Sequence, residues 1–253
     1  MSSLEPDLTR DDFLGGKLTL FQPRSGYRAG IDPVLLAASV EAEAGQTLLD
    51  LGCGVGAAAL CAARRLPGLH VAGLEVQDDY AALARRNGVQ NGIEFDVLTG
   101  DLAQMPDVFK ARQFDHVIAN PPYFERRKST ASDVPTKERA LGEDTPLSDW
   151  VRQATKRASP GGTVTFIQRI ERLPDMLTEF QLGLGSLECL PLAPRYNKPP
   201  RLMLLRGKKG GRADFRLCPA QVLHEGAAHD GDRESYTSSI ASVLRDGAAL
   251  PFS

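Results

Sequence analysis

The chain is sparing with cysteine, with net charge and with uninterrupted apolar sequence, and each scarcity removes a class of protein. Its four cysteines, Cys53, Cys61, Cys189 and Cys218, are scattered through 253 residues at spacings that fit neither a metal cluster nor a disulfide scaffold. They predict a reduced, cytoplasmic setting. No apolar run is long enough to cross a bilayer, and the opening M-S-S-L-E-P-D is acidic and lacks the apolar core of a secretion signal. A membrane role is therefore not expected. Formal net charge is -2, so no global basic field exists and any contact with nucleic acid must come from local patches. Motif context assembles no Cys-His grouping and no serine triad, and no catalytic metal is expected. The rest is an ordinary globular composition, 42% hydrophobic and 25% charged, in a length that suits one large domain or one domain with a small appendage.

The most informative stretch is residues 47–56, T-L-L-D-L-G-C-G-V-G. An apolar run ends in Asp50 and passes into Gly52, Gly54 and Gly56, after which the sequence reads as a helix. A strand turning into a helix without side chains at the turn lets backbone N–H groups approach a ligand above the positive end of the helix. Strand and helix patterns then alternate at the spacing of a parallel sheet with crossovers. Strands are predicted near 47–51, 70–75, 93–97, 114–119 and 163–168, with helices near 56–66, 77–87, 145–158 and 171–182. Thr145-Pro146 reads as a cap with proline at the first helical position. Two more strands, about 187–192 and 201–206, should form an antiparallel edge pair with Pro194 to Pro200 in the bend. Ahead of the glycine loop, Asp32 should cap a short apolar helix that Pro33 begins. Residues 217–224 suggest pairing with a sheet edge, and 235–244 a short amphipathic helix. Residues 1–17 read as a mobile tail, 47–212 as the principal domain and 213–253 as an extension packed on it.

Acids close three successive strands: Asp50, Glu75 in G-L-E, and Asp101 in G-D-L. Gly52, Gly54 and Ala57 also satisfy G-x-G-x-x-G/A, so a dinucleotide cofactor is compatible with the loop taken alone. Taken together, the acids describe a different ligand. Asp50 can receive a cationic amino group, Glu75 both ribose hydroxyls, and Asp101 an adenine amino group with Leu102 offering a backbone contact. An amino-acid-bearing nucleoside has those groups, and S-adenosylmethionine is one. Each acid also has a plainer use, satisfying loop amides or capping the next helix or turn.

Asn120-Pro121-Pro122-Tyr123 follows the strand at 114–119. Prolines fix the backbone and remove amide donors, leaving carbonyls to face a crevice. The Asn120 side-chain oxygen and the Pro121 carbonyl can together accept from one NH2 group, while Tyr123 offers a flat surface for a base or planar amide. The polar stretch 124–144, long for a loop, adjoins this turn and is expected either to touch substrate or to be a solvated excursion.

D-L-G-C-G-V-G, G-L-E, G-D-L and N-P-P-Y together resemble the class I S-adenosylmethionine-dependent methyltransferases that modify amino nitrogens. Residues 21–38, F-Q-P-R-S-G-Y-R-A-G-I-D-P-V-L-L-A-A, are similar to the segment before the first strand in the bacterial tRNA adenine-N6 methyltransferases that act beside the anticodon of valine tRNA. D-W-V-R-Q-A at 149–154 and P-R-Y-N-K-P-P at 194–200 also look familial, so the resemblance covers about 18–224. It implies a Rossmann-like α/β fold with a mostly parallel seven-stranded sheet and an antiparallel edge pair. It also implies that 18–46 covers the cofactor, with Tyr27, Arg28 and Asp32 lining the site, and that Asn120, Pro121, Pro122 and Tyr123 hold the acceptor amine. The segment at 25–28 departs from the charged sequence of enterobacterial members. No helical bundle of the kind found in release-factor glutamine methyltransferases precedes the domain, and ribosomal RNA guanine-N2 enzymes more often place Phe where Tyr123 stands.

The resemblance implies a structured RNA, most readily tRNA, as partner, and two basic stretches offer local support for an RNA contact. Arg126, Arg127, Lys128, Lys137 and Arg139 follow the N-P-P-Y turn; Arg195, Lys198, Arg201, Arg206, Lys208, Lys209, Arg212 and Arg216 accompany the expected edge strands, with Asp214 alone opposing them. They could hold phosphates or simply keep a loop and an edge solvated. The sequence thus predicts an N-methyltransferase acting on adenine N6 in tRNA. A protein glutamine methyltransferase and a catalytically silent cofactor- or RNA-binding scaffold are the alternatives, and oligomeric state stays open.

Overall fold

The computed structural model describes residues 7–123, 145–226 and 235–252. A hairpin comes first, β1 (Leu8–Phe13) against β2 (Leu18–Pro23), and α1 (Asp32–Ala38) leads into the main sheet. There β3 (Thr47–Leu51), α2 (Ala57–Arg65), β4 (His70–Glu75), α3 (Asp78–Gln90) and β5 (Phe95–Thr99) follow one another. The short α4 (Asp107–Lys110), β6 (Phe114–Ala119), α5 (Leu147–Arg157) and β7 (Ala158–Arg169) come next. The chain continues through α6 (Leu173–Phe180), β8 (Gly185–Arg195), β9 (Leu202–Lys208), β10 (Arg216–Leu217), β11 (Gln221–His224) and α7 (Ser238–Asp246).

The main sheet runs in the order β10-β8-β9-β7-β6-β3-β4-β5, with β11 also pairing β8. Strands β3 to β7 are mutually parallel, and β9 is antiparallel to both of its neighbours. The expected seven strands and antiparallel pair are present; β10 and β11 add a further edge along β8 and make the sheet nine-stranded. Two-residue β10 is too short to show a period in sequence. β7 begins at Ala158, five residues before the expected start, because the chain hydrogen-bonds to β6 on both sides of a register shift around Pro160–Gly161.

Both faces of the sheet are buried, which is why its central strands read as continuous apolar runs. On one face Leu48, Ile118 and Ile167 pack with α1, α2, α7 and the hairpin; on the other Leu49, Leu51, Val117 and Phe166 pack with α4, α5 and α6. Phe109 meets Phe114 edge-on at 5.9 Å, and Phe166 meets Phe180 at 5.4 Å.

From Leu8 onward the expected mobile tail is corrected: that stretch is the hairpin. Its acidic letters have partners, since Asp11 Oδ2 accepts from Arg28 at 2.7 Å and from Thr9 and Gln22 at 2.9 Å each. The far edge of β2 is met by a helix instead of a strand. Asn87 on α3 and Asn91, just beyond it, each give a side-chain oxygen to a β2 amide, Phe21 at 2.8 Å and Thr19 at 2.9 Å. Their amide nitrogens return to the carbonyls of the same residues, at 3.1 and 2.8 Å. Residues four apart on a helix face thereby match residues two apart on a strand edge. Among the described residues no helix is long and apolar enough to cross a membrane.

Candidate active site

The glycine loop is built as the sequence implied. Gly52, Gly54 and Gly56 take φ of 67°, 54° and 87°, and Gly56 stands at the N-cap of α2. The N–H groups of Gly52 and Cys53 both donate to Leu74 O, at 2.8 and 3.1 Å, folding the loop onto β4. A Cβ on Gly52 would come within 2.5 Å of the Trp150 ring on α5; at Gly54 only Tyr27 stands near, at 3.8 Å. Gly52 is thus backed by Trp150 while remaining exposed, and half-buried Gly54 forms the floor of a cleft that Tyr27 overlies.

Asp50 is 3% and Glu75 5% exposed. Burial pushes the Asp50 carboxyl up to about 8, against the opposing hydrogen bond from Ala59 N and with a further push from Glu75. Burial also raises Glu75, whose Oε2 accepts from Gly54 N at 2.8 Å and Oε1 from Gln77 N at 2.9 Å, leaving further acceptor capacity on both oxygens. Tyr27 is half exposed. Burial of its hydroxyl end, then the carboxylates of Asp32, Asp50 and Glu75, push its phenol up to about 12.

The N-P-P-Y turn leaves β6 directly beside this cleft. Asn120 Nδ2 donates to Tyr27 Oη at 3.4 Å, and Tyr123 Oη donates to Asp32 Oδ2 at 2.5 Å. Burial and the adjacent Asp32 hold the Tyr123 phenol well above its ordinary range. Tyr27, Asp32, Asp50, Glu75, Asn120 and Tyr123 therefore share one site. Asp101 and Leu102 follow the next strand and are tied in through Gly100 N, which donates to Glu75 O at 2.9 Å. Asp101 Oδ1 accepts from Ala103 N at 2.8 Å, the turn-capping use, while Leu102 is buried in the core.

Several expected roles are corrected. Asp32 is the first residue of α1 and makes no side-chain cap; its carboxylate goes to Tyr123. Pro146, not Thr145, is the N-cap of α5, again without a side-chain bond. Arg28 is committed to the hairpin, donating to Thr9 Oγ1 at 2.6 Å, Pro23 O at 3.0 Å and Asp11. Arg195 is buried and donates to Glu225 O, to Gly226 O at 3.3 Å and to Ser235 Oγ at 3.2 Å, so it does not present itself to a phosphate. Arg206 and Arg216 both pair with Glu188. The carbonyls and the carboxylate that bind these cations come from distant segments, so their pairing could not be read locally. Lys198 and Arg201 are exposed and make no ion pair among the described residues. Arg126, Arg127 and Lys128 lie outside the described residues.

The cleft suits S-adenosylmethionine better than a dinucleotide. Buried Asp50 and Glu75 and half-buried Asp32 converge on it, and none makes an ion pair among the described residues. Buried acids without cations favour a ligand that brings positive charge and disfavour a pyrophosphate. No group of three or more His, Cys, Asp or Glu is placed to hold a metal among the described residues.

Comparison with known proteins agrees with that geometry. Residues 29–139 match the methyltransferase small domain. A protein of Shewanella loihica named tRNA1(Val) (adenine(37)-N6)-methyltransferase is 30% identical over 190 residues, 71% of this chain and 76% of its own. The chain belongs to this methyltransferase family. A like-named protein of Haemophilus influenzae is 28% identical over 89% of this chain and 93% of its own. A crystal structure described as a predicted O-methyltransferase from Agrobacterium tumefaciens superposes with TM-score 0.69 at 25% identity, covering 87% of this chain and 98% of that one. The Thermus thermophilus 16S rRNA N2 G1207 methyltransferase, in complex with AdoMet and guanosine, shares the fold with TM-score 0.57 at 20% identity, over 80% and 50% of the two chains.

The methyltransferase is thus an S-adenosylmethionine-dependent enzyme with a Rossmann-like fold. Three of its neighbouring residues escaped sequence reading. Gln168, 1% exposed on β7, donates from Nε2 to Pro121 O at 3.4 Å, and the Arg169 guanidinium lies 5.7 Å from the Tyr123 ring centroid. Asn87 Nδ2 donates to Val55 O at 2.9 Å and so joins the hairpin to the glycine loop. A polar residue at a buried strand end is a signal for Gln168; nothing local marks Asn87.

Proposed function

We propose that this methyltransferase methylates the exocyclic N6 of an adenine in structured RNA, with tRNA as the substrate class and the cytoplasm as its setting. The observation that carries this reading is the N-P-P-Y turn, set at the mouth of the acidic cleft with its aromatic ring fixed by Asp32. When bound, S-adenosylmethionine supplies a methyl group on a positively charged sulfur. The chain's part is to place the acceptor nitrogen. With Asn120 Nδ2 turned to Tyr27, the Asn120 side-chain oxygen and the second lone pair of the Pro121 carbonyl, whose first meets Gln168 Nε2 at 3.4 Å, are placed to accept the two hydrogens of an amine. Both bonds strengthen as the nitrogen loses its conjugation with the ring and becomes pyramidal, so they favour the transition state over the bound substrate. Tyr123 carries the base by stacking. Glu75 and the Gly52–Gly56 loop would hold the nucleoside and methionine parts of the cofactor, with Asp50 beneath and Asp101 at the adenine end. The names of the relatives support tRNA and adenine N6.

The test is incubation of the protein with methyl-labelled cofactor and separate fractions of tRNA, ribosomal RNA and cell protein, followed by nucleoside analysis. N6-methyladenosine in tRNA is expected. Label confined to protein glutamine, or no label despite cofactor binding, would overturn the reading.

A further inference from the structure

The bend between β8 and β9 carries an aromatic side chain that no part of the methyl-transfer site uses. Tyr196 is 78% exposed, and its place follows from strand directions. β9 is antiparallel to β7 and β8, so β8 ends at the same edge of the sheet as β6 and β7. The bend therefore shares that edge with the N-P-P-Y turn. Ile170 N, just past β7, donates to Arg201 O at 3.0 Å, and Arg169 lies opposite Leu202 in register. From Tyr123 the edge thus runs through Arg169 to Arg201 and across to Tyr196. With about 4.8 Å between strands, the three steps from β6 to β8 separate the two turns laterally by on the order of 14 Å. Ala119 is level with Cys189 through Phe166 and Leu205, so Tyr196 also stands up to roughly 10 Å further along the strand direction than Tyr123, and the whole span is a reach of a few nucleotides.

The bend is also rigid. Asn197 takes the left-handed φ of 62°, Lys198 N donates to Arg195 O at 3.1 Å, and Arg201 N donates to Leu192 O at 3.2 Å. Buried Arg195 ties its base to Gly226 O and Ser235 at 3.3 and 3.2 Å. Pro199 and Pro200 restrict the far side. An aromatic face is thus held outward beside two exposed cations, Lys198 and Arg201, that meet no acid among the described residues. Stacking faces interleaved with cations are what an unpaired polynucleotide strand requires.

We propose that Tyr196 is a second stacking platform, which receives an unpaired base flanking the target adenine while Lys198 and Arg201 neutralise the intervening phosphates. This deepens the RNA reading of the active site and rests on it. Tyr196 touches no reacting atom; it positions the strand.

The test uses the full chain and an unmodified tRNA transcript that the wild-type enzyme methylates, with variants abasic at single loop positions on either side of the acceptor adenine. Tyr196→Ala should raise KM for the intact transcript about five- to a hundredfold, the range of a lost base–aromatic stack, with kcat and S-adenosylmethionine affinity little changed. Tyr196→Trp should restore KM. At one flanking position an abasic site should raise KM for the wild type and leave Tyr196→Ala unaffected. An unchanged KM for Tyr196→Ala, or equal abasic penalties in both proteins at every flanking position, would overturn the platform while leaving the RNA reading intact. If the wild type methylates no RNA at all, the RNA reading fails and the platform falls with it.

Discussion

Replacing Asn87 by Ala should loosen the hairpin and the glycine loop together. Asn87 is fully buried and makes three bonds to backbone: it accepts from Phe21 N at 2.8 Å, and donates to Phe21 O at 3.1 Å and Val55 O at 2.9 Å. Each bond contributes on the order of 0.5–1.5 kcal/mol net, and the backbone groups left behind are shielded from water. Alanine's better helix propensity returns about 0.5 kcal/mol. The expected loss is therefore about 1–4 kcal/mol, a large part of a typical domain's stability at its upper end. Urea unfolding should show a lower midpoint with unchanged slope. Hydrogen exchange should quicken at the Phe21 amide, and S-adenosylmethionine should bind more weakly because Val55 is released. Asn91→Ala is the internal comparison. Asn91 is half-buried, so water can replace its bonds to Thr19, and it does not touch the loop; its loss should be about 1 kcal/mol with cofactor affinity preserved. The account is refuted if Asn87→Ala costs less than about 1 kcal/mol and leaves Phe21 exchange unaltered.

Asp50 makes stability depend on pH. Its folded value of about 8 lies above the unfolded carboxylate range, so the folded state holds the extra proton between about pH 4 and 8 and stability falls as pH rises across that window. Asp50→Asn should flatten this slope in pH-dependent urea unfolding, leaving only the part that Glu75, also raised by burial, contributes; a parallel slope in both proteins would exclude Asp50 as a source. Asn120→Ala should lower kcat far more than it weakens cofactor binding, since its amine contact is made with the acceptor; full turnover on the natural RNA would refute that role. Gly52→Ala places a methyl 2.5 Å from Trp150 at a φ of 67°. Strain and overpacking should together cost about 2–5 kcal/mol, and trimming the ring with Trp150→Leu should recover only the overpacking part in a double-mutant cycle.

The sequence by itself determined the parts whose physics is local. A strand running into glycines at 52, 54 and 56 requires a tight strand-to-helix turn, and acids closing successive apolar runs must line one edge if those runs are parallel strands. From those constraints came the sheet, the cleft, the cofactor and the N-P-P-Y turn. Tertiary structure decided what depends on partners far apart in the chain. The acidic stretch around Asp11 reads as a solvated tail until Arg28 and Gln22 are brought against it and Asn87 and Asn91 hold the far edge of β2. The basic stretch from Arg195 to Arg216 reads as cations that could hold phosphates or keep a sheet edge solvated. Folding divides it, because Arg195 is taken by backbone carbonyls from the chain beyond β11, and Arg206 and Arg216 by Glu188. Charge is a property of a residue and can be counted in sequence, whereas its availability is set by which opposite groups the fold places within hydrogen-bonding reach.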